Sequence, residues 1–211
     1  MPLLLIGLLL LVNLNFALAE DDVIKLPDPL TEGGMPLREA LKLRKSTRGN
    51  FGADTKLSMQ QISDLLWAAN GVNREDGYRT APSAVNWKNI DIYVTTAEGF
   101  YLYDADNHAL KILGKEDIRS VSGEQEFVKD APINLIYVAD YAKATFRGSM
   151  DTAEIWSYAN TGFIAENVYL FCASEGLACI VRALADKDLI AKALNLRPDQ
   201  HFTLAQTVAH F

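Results

Sequence analysis

INLIYVAD, Ile133–Asp140, is apolar at almost every position. A strand with one face in water alternates apolar and polar residues, so a continuous run predicts a strand covered on both faces and central in its sheet. Upstream, IDIYVTT (Ile90–Thr96), FYLYD (Phe100–Asp104) and HALKIL (His108–Leu113) are strand-like runs, parted by Glu98-Gly99 and by Asp106-Asn107, and read as a meander. Downstream, Thr152–Ser174 reads as one long helix in which Gly162, Ala165 and Ala173 alternate with Phe163, Val168, Leu170 and Phe171. A helix apolar on more than one face is expected between the sheet and a second chain, hence in an oligomer. Glu175-Gly176 breaks that helix, LACIVRA returns as a strand, Asp186 starts a last helix, and FTLAQTV (Phe202–Val208) is the last strand.

The N-terminal half supplies two helices. Leu37, Ala40 and Leu41 suggest a short one running into Lys45-Ser46-Thr47-Arg48. Ser58 with Gln61 three residues on forms a capping box, Leu57 and Ile62 a staple, Ile62, Leu65, Leu66 and Ala69 a buried stripe, and Gly71 a stop. A loop dense in turn formers follows, residues 73–86, and long loops inside compact domains tend to be functional. A helical stretch holding Phe127 precedes Pro132, and no internal repeat is visible. These elements predict one α+β domain over residues 35–211, behind an extended arm at 20–34.

Composition narrows the function classes. The chain of 211 residues is 49% apolar and 22% charged, as globular domains are. A formal net charge of −7 argues against nucleic acid as the main partner, since phosphate neutralisation needs clustered Lys and Arg, but leaves room for a local phosphate pocket. Cys172 and Cys179 lie in apolar context at a spacing that fits neither a redox motif nor zinc, and read as small buried hydrophobes; whether they pair is open. His108, His201 and His210 are scattered, so no metal is expected.

Residues 1–19 carry an apolar run that ends in Ala17-Leu18-Ala19 before Glu20-Asp21-Asp22, which reads as a signal peptide with no stable membrane anchor. No Lys or Arg precedes the run, so an uncleaved anchor or a core segment stays open. A signal implies a periplasmic or secreted protein; without one the chain is cytoplasmic.

Four stretches carry chemistry. Arg44-Lys45-Ser46-Thr47-Arg48 offers a guanidinium fork and a hydroxyl, which suit a dianionic phosphate, although alone it reads more readily as a solvated basic helix end. Pro82-Ser83-Ala84-Val85-Asn86 could be an ordinary turn, and Glu175-Gly176-Leu177 an ordinary helix C-cap. Thr161-Gly162 through Asn167-Val168-Tyr169-Leu170 is a helix built for packing.

In this order, the four resemble the nitroreductase family, especially its branch related to the azoline-forming (thiazole/oxazole) peptide dehydrogenases. The resemblance implies a mixed, mainly antiparallel sheet flanked by helices in three layers, and a homodimer binding FMN. It implies that Arg44, Lys45 and Ser46 meet the FMN phosphate and that Arg48 faces the flavin's pyrimidine edge, where a cation favours reduction. Asn86 would hydrogen-bond the flavin, Pro82, Ser83 and Ala84 would come from the neighbouring subunit, and Glu175-Gly176 would place a backbone N–H at flavin N5. The implied activity is ping-pong hydride transfer from a reduced donor, NAD(P)H, through N5 to a small organic acceptor such as a nitroaromatic or quinone, with no catalytic side chain. The alternatives are an exported, non-catalytic flavin or small-ligand binding protein with the same fold, and a purely structural dimer.

The chain departs from the family pattern in two places. No Lys or Arg follows Arg197, which turns attention to Arg182 as a further phosphate ligand. After Asn86 stands Trp87-Lys88-Asn89, where the family often has Asn-x-Gln-Pro-Trp, so substrate shape does not carry over. Trp156, Tyr158 and Tyr78 are candidates for the substrate face, with core packing the commoner role for each.

Overall fold

The computed structural model describes residues 22–49, 51, 55–144 and 150–211; the expected signal at 1–19 lies outside them. The elements in chain order are β1 (Val23–Lys25), α1 (Leu37–Leu43), α2 (Met59–Asn70), β2 (Ile90–Thr96), β3 (Gly99–Asp104), β4 (Ala109–Gly114), β5 (Ile133–Asp140), α3 (Met150–Glu175), β6 (Ala178–Arg182), α4 (Lys187–Ala193) and β7 (Gln200–Ala209). The strands form one seven-stranded sheet in the order β1-β4-β3-β2-β5-β7-β6.

β5 lies inside this sheet, between β2 and β7, and every one of its residues is buried. Its two faces serve two cores. Ile133, Leu135, Tyr137 and Ala139 pack in the cluster that includes Leu65, Leu66 and Ala69 of α2 and Ile164 and Val168 of α3. Ile136 and Val138 meet Ile190 and Leu194, from α4 and its C-terminal end, on the opposite face. Each fully buried aliphatic side chain contributes about 1.5–3 kcal/mol, so this strand alone anchors both layers. A run apolar on both faces suggests parallel pairing, yet each pairing here is antiparallel. Helices on both faces, rather than strand direction, explain the run.

Local signals in α2 act as chemistry dictates. Ser58 N–H donates to Gln61 Oε1 at 2.9 Å and Gln61 N–H donates to Ser58 Oγ at 3.2 Å, closing a capping box worth about 1 kcal/mol. Gly71 ends the helix for want of space rather than by a left-handed turn: its φ is −73°, and a Cβ there would lie 2.5 Å from the Trp67 side chain. The stretch around Phe127 is a single 3-10 turn, Glu126–Lys129.

The described part of the arm ahead of α1 is tied down at several points. β1 pairs with β4, Leu30 N–H donates to Asp64 Oδ1 at 2.8 Å, and Met35 N–H donates to Ser174 Oγ at 2.9 Å. Among the described residues no helix is long and apolar enough to cross a membrane.

Candidate functional site

α3 organises the candidate residues, and it does so at two separate places. Near its C-terminal end, the chain leaving α1 lies beside β6. Thr47 N–H donates to the Cys179 carbonyl at 2.8 Å, and Cys179 N–H donates to Thr47 Oγ1 at 3.4 Å. That pairing holds Arg44 to Arg48 against the sheet edge and directs Ser46 toward α3, where its Oγ is 2.9 Å from Tyr169 Oη. The Arg44 guanidinium lies over the Tyr169 ring, 5.3 Å from its centroid, and Lys45 lies over Phe211 at 5.0 Å. Arg48 is exposed. Among the described residues none of these three cations has a carboxylate partner.

A cavity of about 190 Å³ opens between this segment and the end of α3, lined by Leu43, Lys45, Tyr169, Cys172, Gly176 and Leu177 among others. Gly176 has φ of +66°, a conformation glycine adopts without strain, and a Cβ built on it would meet nothing within 4 Å. The backbone beside Gly176 is therefore open to a flat ligand. Glu175 is exposed and, among the described residues, its side chain accepts from Ser174 Oγ at 3.1 Å.

Three unpaired cations, a hydroxyl and an open backbone fit a phosphate-bearing planar cofactor, with the anion beside Arg44 and Ser46. The cavity is smaller than the roughly 300 Å³ at which complete small-molecule sites begin. A larger cleft of about 500 Å³ lies between the arm, α2 and α3, but it is lined by Glu32, Asp64 and Glu175 and by no Lys or Arg. That lining is wrong for a phosphate.

The second place is the middle of α3. Ala84 N–H donates to Asn160 Oδ1 at 2.9 Å, Asn160 Nδ2 donates to Asn89 Oδ1 at 3.0 Å, and Asn89 Nδ2 donates to Ser157 Oγ at 2.8 Å. Ser157 Oγ–H in turn donates to the Ala153 carbonyl at 2.7 Å. Each side chain in this network is buried, and each amide is used on both ends. The loop it fixes is strained: Val85, Asn86 and Lys88 have φ of 50°, 54° and 50°. Ser83 Oγ accepts the Lys88 N–H at 3.0 Å, Asn86 N–H donates to the Ser83 carbonyl at 3.0 Å, and Pro82, Val85 and Asn86 face solvent.

The structure thus joins Arg44, Lys45, Ser46 and Gly176 but not Pro82 to Asn86. Asn160 lies on α3 and Gly176 directly after its last residue, sixteen positions on, or ~24 Å at the helical rise. Arg182 does not join the cations either. It shares the opposite face of the sheet with Asn134, is 7% exposed, and donates to Thr207 Oγ1, the Ser122 carbonyl and Asn134 Oδ1. Burial lowers its pKa to about 10. Its position on β6, one residue out of phase with Cys179 and Val181, sends the side chain away from the cavity.

The aromatic candidates also separate. Trp156 stacks on Trp87 with centroids 5.4 Å apart, Tyr158 lines a pocket with Tyr141, Glu154 and Arg197, and Tyr78 stands in solvent against Arg74 and Lys88. Cys172 and Cys179 are both free and buried, and burial pushes the Cys172 thiol well up. The sequence reading gave no site role to three residues, Tyr169, Asn160 and Asn89. An Asn inside an apolar helix was the one available signal, because a buried amide needs partners.

Known proteins agree with this architecture. The family model described as the Nitroreductase family matches residues 41–210. A protein of Methanocaldococcus jannaschii that carries a nitroreductase name is 33% identical over 177 residues, covering 79% of this chain and 86% of that protein. A crystal structure from Ralstonia eutropha, also of a protein with a nitroreductase name, superposes with a TM-score of 0.84 at 42% identity, covering 90% of this chain and 89% of that one. A chain of the Escherichia coli microcin synthetase complex shares the fold at 22% identity, with a TM-score of 0.70, covering 80% of this chain and 69% of that one. Family match, relatives and fold agree: the chain belongs to the nitroreductase family and is a flavin-type oxidoreductase.

Proposed function

We propose that the chain is an FMN-dependent oxidoreductase that works as a homodimer, with each flavin held between two copies. The observation that carries the reading is the trio Arg44, Lys45 and Arg48, unpaired among the described residues of an acidic protein, next to the open backbone of Gly176. Arg44 and Ser46 hold the phosphate, as a guanidinium and a hydroxyl can. Arg48 stands at the pyrimidine edge and favours the negative charge that grows there on reduction. When bound, FMN supplies hydride transfer from a reduced donor, NAD(P)H, to a small organic acceptor such as a nitroaromatic or quinone.

The second copy brings Pro82 to Asn86 to the site. Two features support this: one chain holds that loop ~24 Å along α3 from Gly176, and α1 and α3 expose Leu37, Leu41, Ile155 and Phe163. Apolar side chains of that size on neighbouring helices suit a buried interface.

The test is the visible absorption spectrum of the chain after incubation with FMN, before and after NADH. A bound flavin that bleaches with NADH and recovers with a quinone is the expected outcome. A colourless protein sinks the cofactor assignment, and a bound flavin that no reduced donor bleaches leaves a binding protein instead.

A further inference from the structure

We propose that Tyr169 is the positioning residue of the anion site: its hydroxyl turns the Ser46 hydroxyl outward as a donor, and its ring holds the Arg44 guanidinium. The inference rests on the flavin reading given above and deepens it.

The direction of the hydrogen bonds follows from counting donors. Val181 N–H donates to Tyr169 Oη at 2.8 Å. Within reach of the phenol proton, the only acceptor among the described residues is Ser46 Oγ, at 2.9 Å. Tyr169 is 6% exposed, so a phenol proton left without an acceptor carries the full cost of desolvation. Tyr169 therefore donates to Ser46, and the proton of the exposed Ser46 hydroxyl points away from the protein. The result is a chain of donors, Val181 N–H to Tyr169 O–H to Ser46 O–H, that ends at an anion oxygen, and each bond polarises the next. Arg44 over the same ring adds its charge from the other side.

Neither Ser46 nor Arg44 is buried, and without a support both would sample many rotamers. One ring, fixed to β6 by the Val181 bond and to α3 by the backbone, orders both. Arg44 and Ser46 are thereby tied, through Tyr169, to the strand whose Cys179 already pairs with Thr47.

The experiment titrates the full chain with FMN and with riboflavin, which lacks the phosphate, and follows the quenching of flavin fluorescence. In Tyr169→Phe the ring stays and the hydroxyl goes. The expected result is an FMN Kd raised about tenfold with riboflavin Kd within about twofold of the wild type. The unchanged riboflavin Kd also reports an intact fold.

Ser46→Ala, at the surface, tests the same chain from its other end and is expected to lose the same preference for FMN. Combined with Tyr169→Phe it should cost no more than Ser46→Ala alone, because Tyr169 acts through Ser46. Equal losses for both flavins, an unchanged FMN Kd in either single variant, or losses that multiply in the double variant would each overturn the proposal while leaving the flavin reading intact. A wild-type chain that binds neither flavin overturns both.

Discussion

The two ends of the α3 site are built by opposite means. The loop at Pro82 to Asn86 is fixed by a closed network of buried amides and hydroxyls, and three residues at positive φ are held against that anchor. The segment at Arg44 to Arg48 is charged and mostly exposed, and it is fixed by a bond from Thr47 N–H to the Cys179 carbonyl, a bond from Cys179 N–H to the Thr47 hydroxyl, and one hydroxyl contact to Tyr169. The first arrangement spends stability on shape. The second spends little, and among the described residues its cations have no carboxylate partner. Damage to the first should appear in folding, and damage to the second in binding.

The largest effect should come from Asn160→Ala. It leaves the Ala84 N–H and the Asn89 Oδ1 short of their partners inside the protein, at about 3 kcal/mol in total. For a chain of this size that lowers Tm by ~6–12 °C, measurable by thermal unfolding. A drop smaller than ~2 °C would mean that the network does not hold the loop.

Arg44→Ala should do the reverse. Loss of a charge-assisted bond to phosphate weakens FMN binding by about 10- to 100-fold, while stability stays within about 0.5 kcal/mol, as for other surface changes. Equilibrium titration and urea unfolding of the same preparation test both halves; a stability loss as large as that of Asn160→Ala would erase the contrast.

Val85→Gly sharpens the point about strain. Val85 is 71% exposed and has φ of +50°, so glycine removes backbone strain without opening a cavity. A gain of about 1 kcal/mol is expected, visible as a rise of a few degrees in Tm. If Tm falls, the left-handed turn is not a stored cost.

The smallest effect concerns His108, in the turn between β3 and β4. Burial lowers its pKa below the ordinary 6.5, so the folded chain favours the neutral ring while the unfolded chain takes up a proton first. Its contribution is therefore full above pH 6.5 and is lost as pH falls through the folded pKa. His108 Nε2 meets Ser63 Oγ at 2.7 Å and its Nδ1 meets Tyr103 Oη at 3.0 Å. His108→Asn, which tolerates the φ of +47°, should flatten the loss of Tm between pH 7 and pH 5. An equally steep loss in the variant would assign the pH dependence to the carboxylates.

The sequence was most legible where one residue's chemistry has a single outlet. The Ser58–Gln61 capping box, the Asp186 N-cap of α4, and the apolar run of β5 each appear where they were read. Arg44 to Arg48 and Glu175-Gly176 were also legible, as residue types that suit an anion and a helix end. Asn89, Asn160 and Tyr169 were not, since an amide or a phenol in an apolar stretch tells that a partner exists without telling which.

Sequence alone determined which residues are apolar, which helices are capped, where cations cluster, and therefore the α+β class and the chemistry on offer. Only the tertiary structure decided that Arg182 turns to the opposite face from Arg44, that all strand pairs are antiparallel, and that one helix holds both loops while keeping them apart. The reason is physical: burial and hydrogen-bond direction belong to pairs of groups, and the chain brings Ser46 to Tyr169, or Ala84 to Asn160, only when the sheet and α3 have packed.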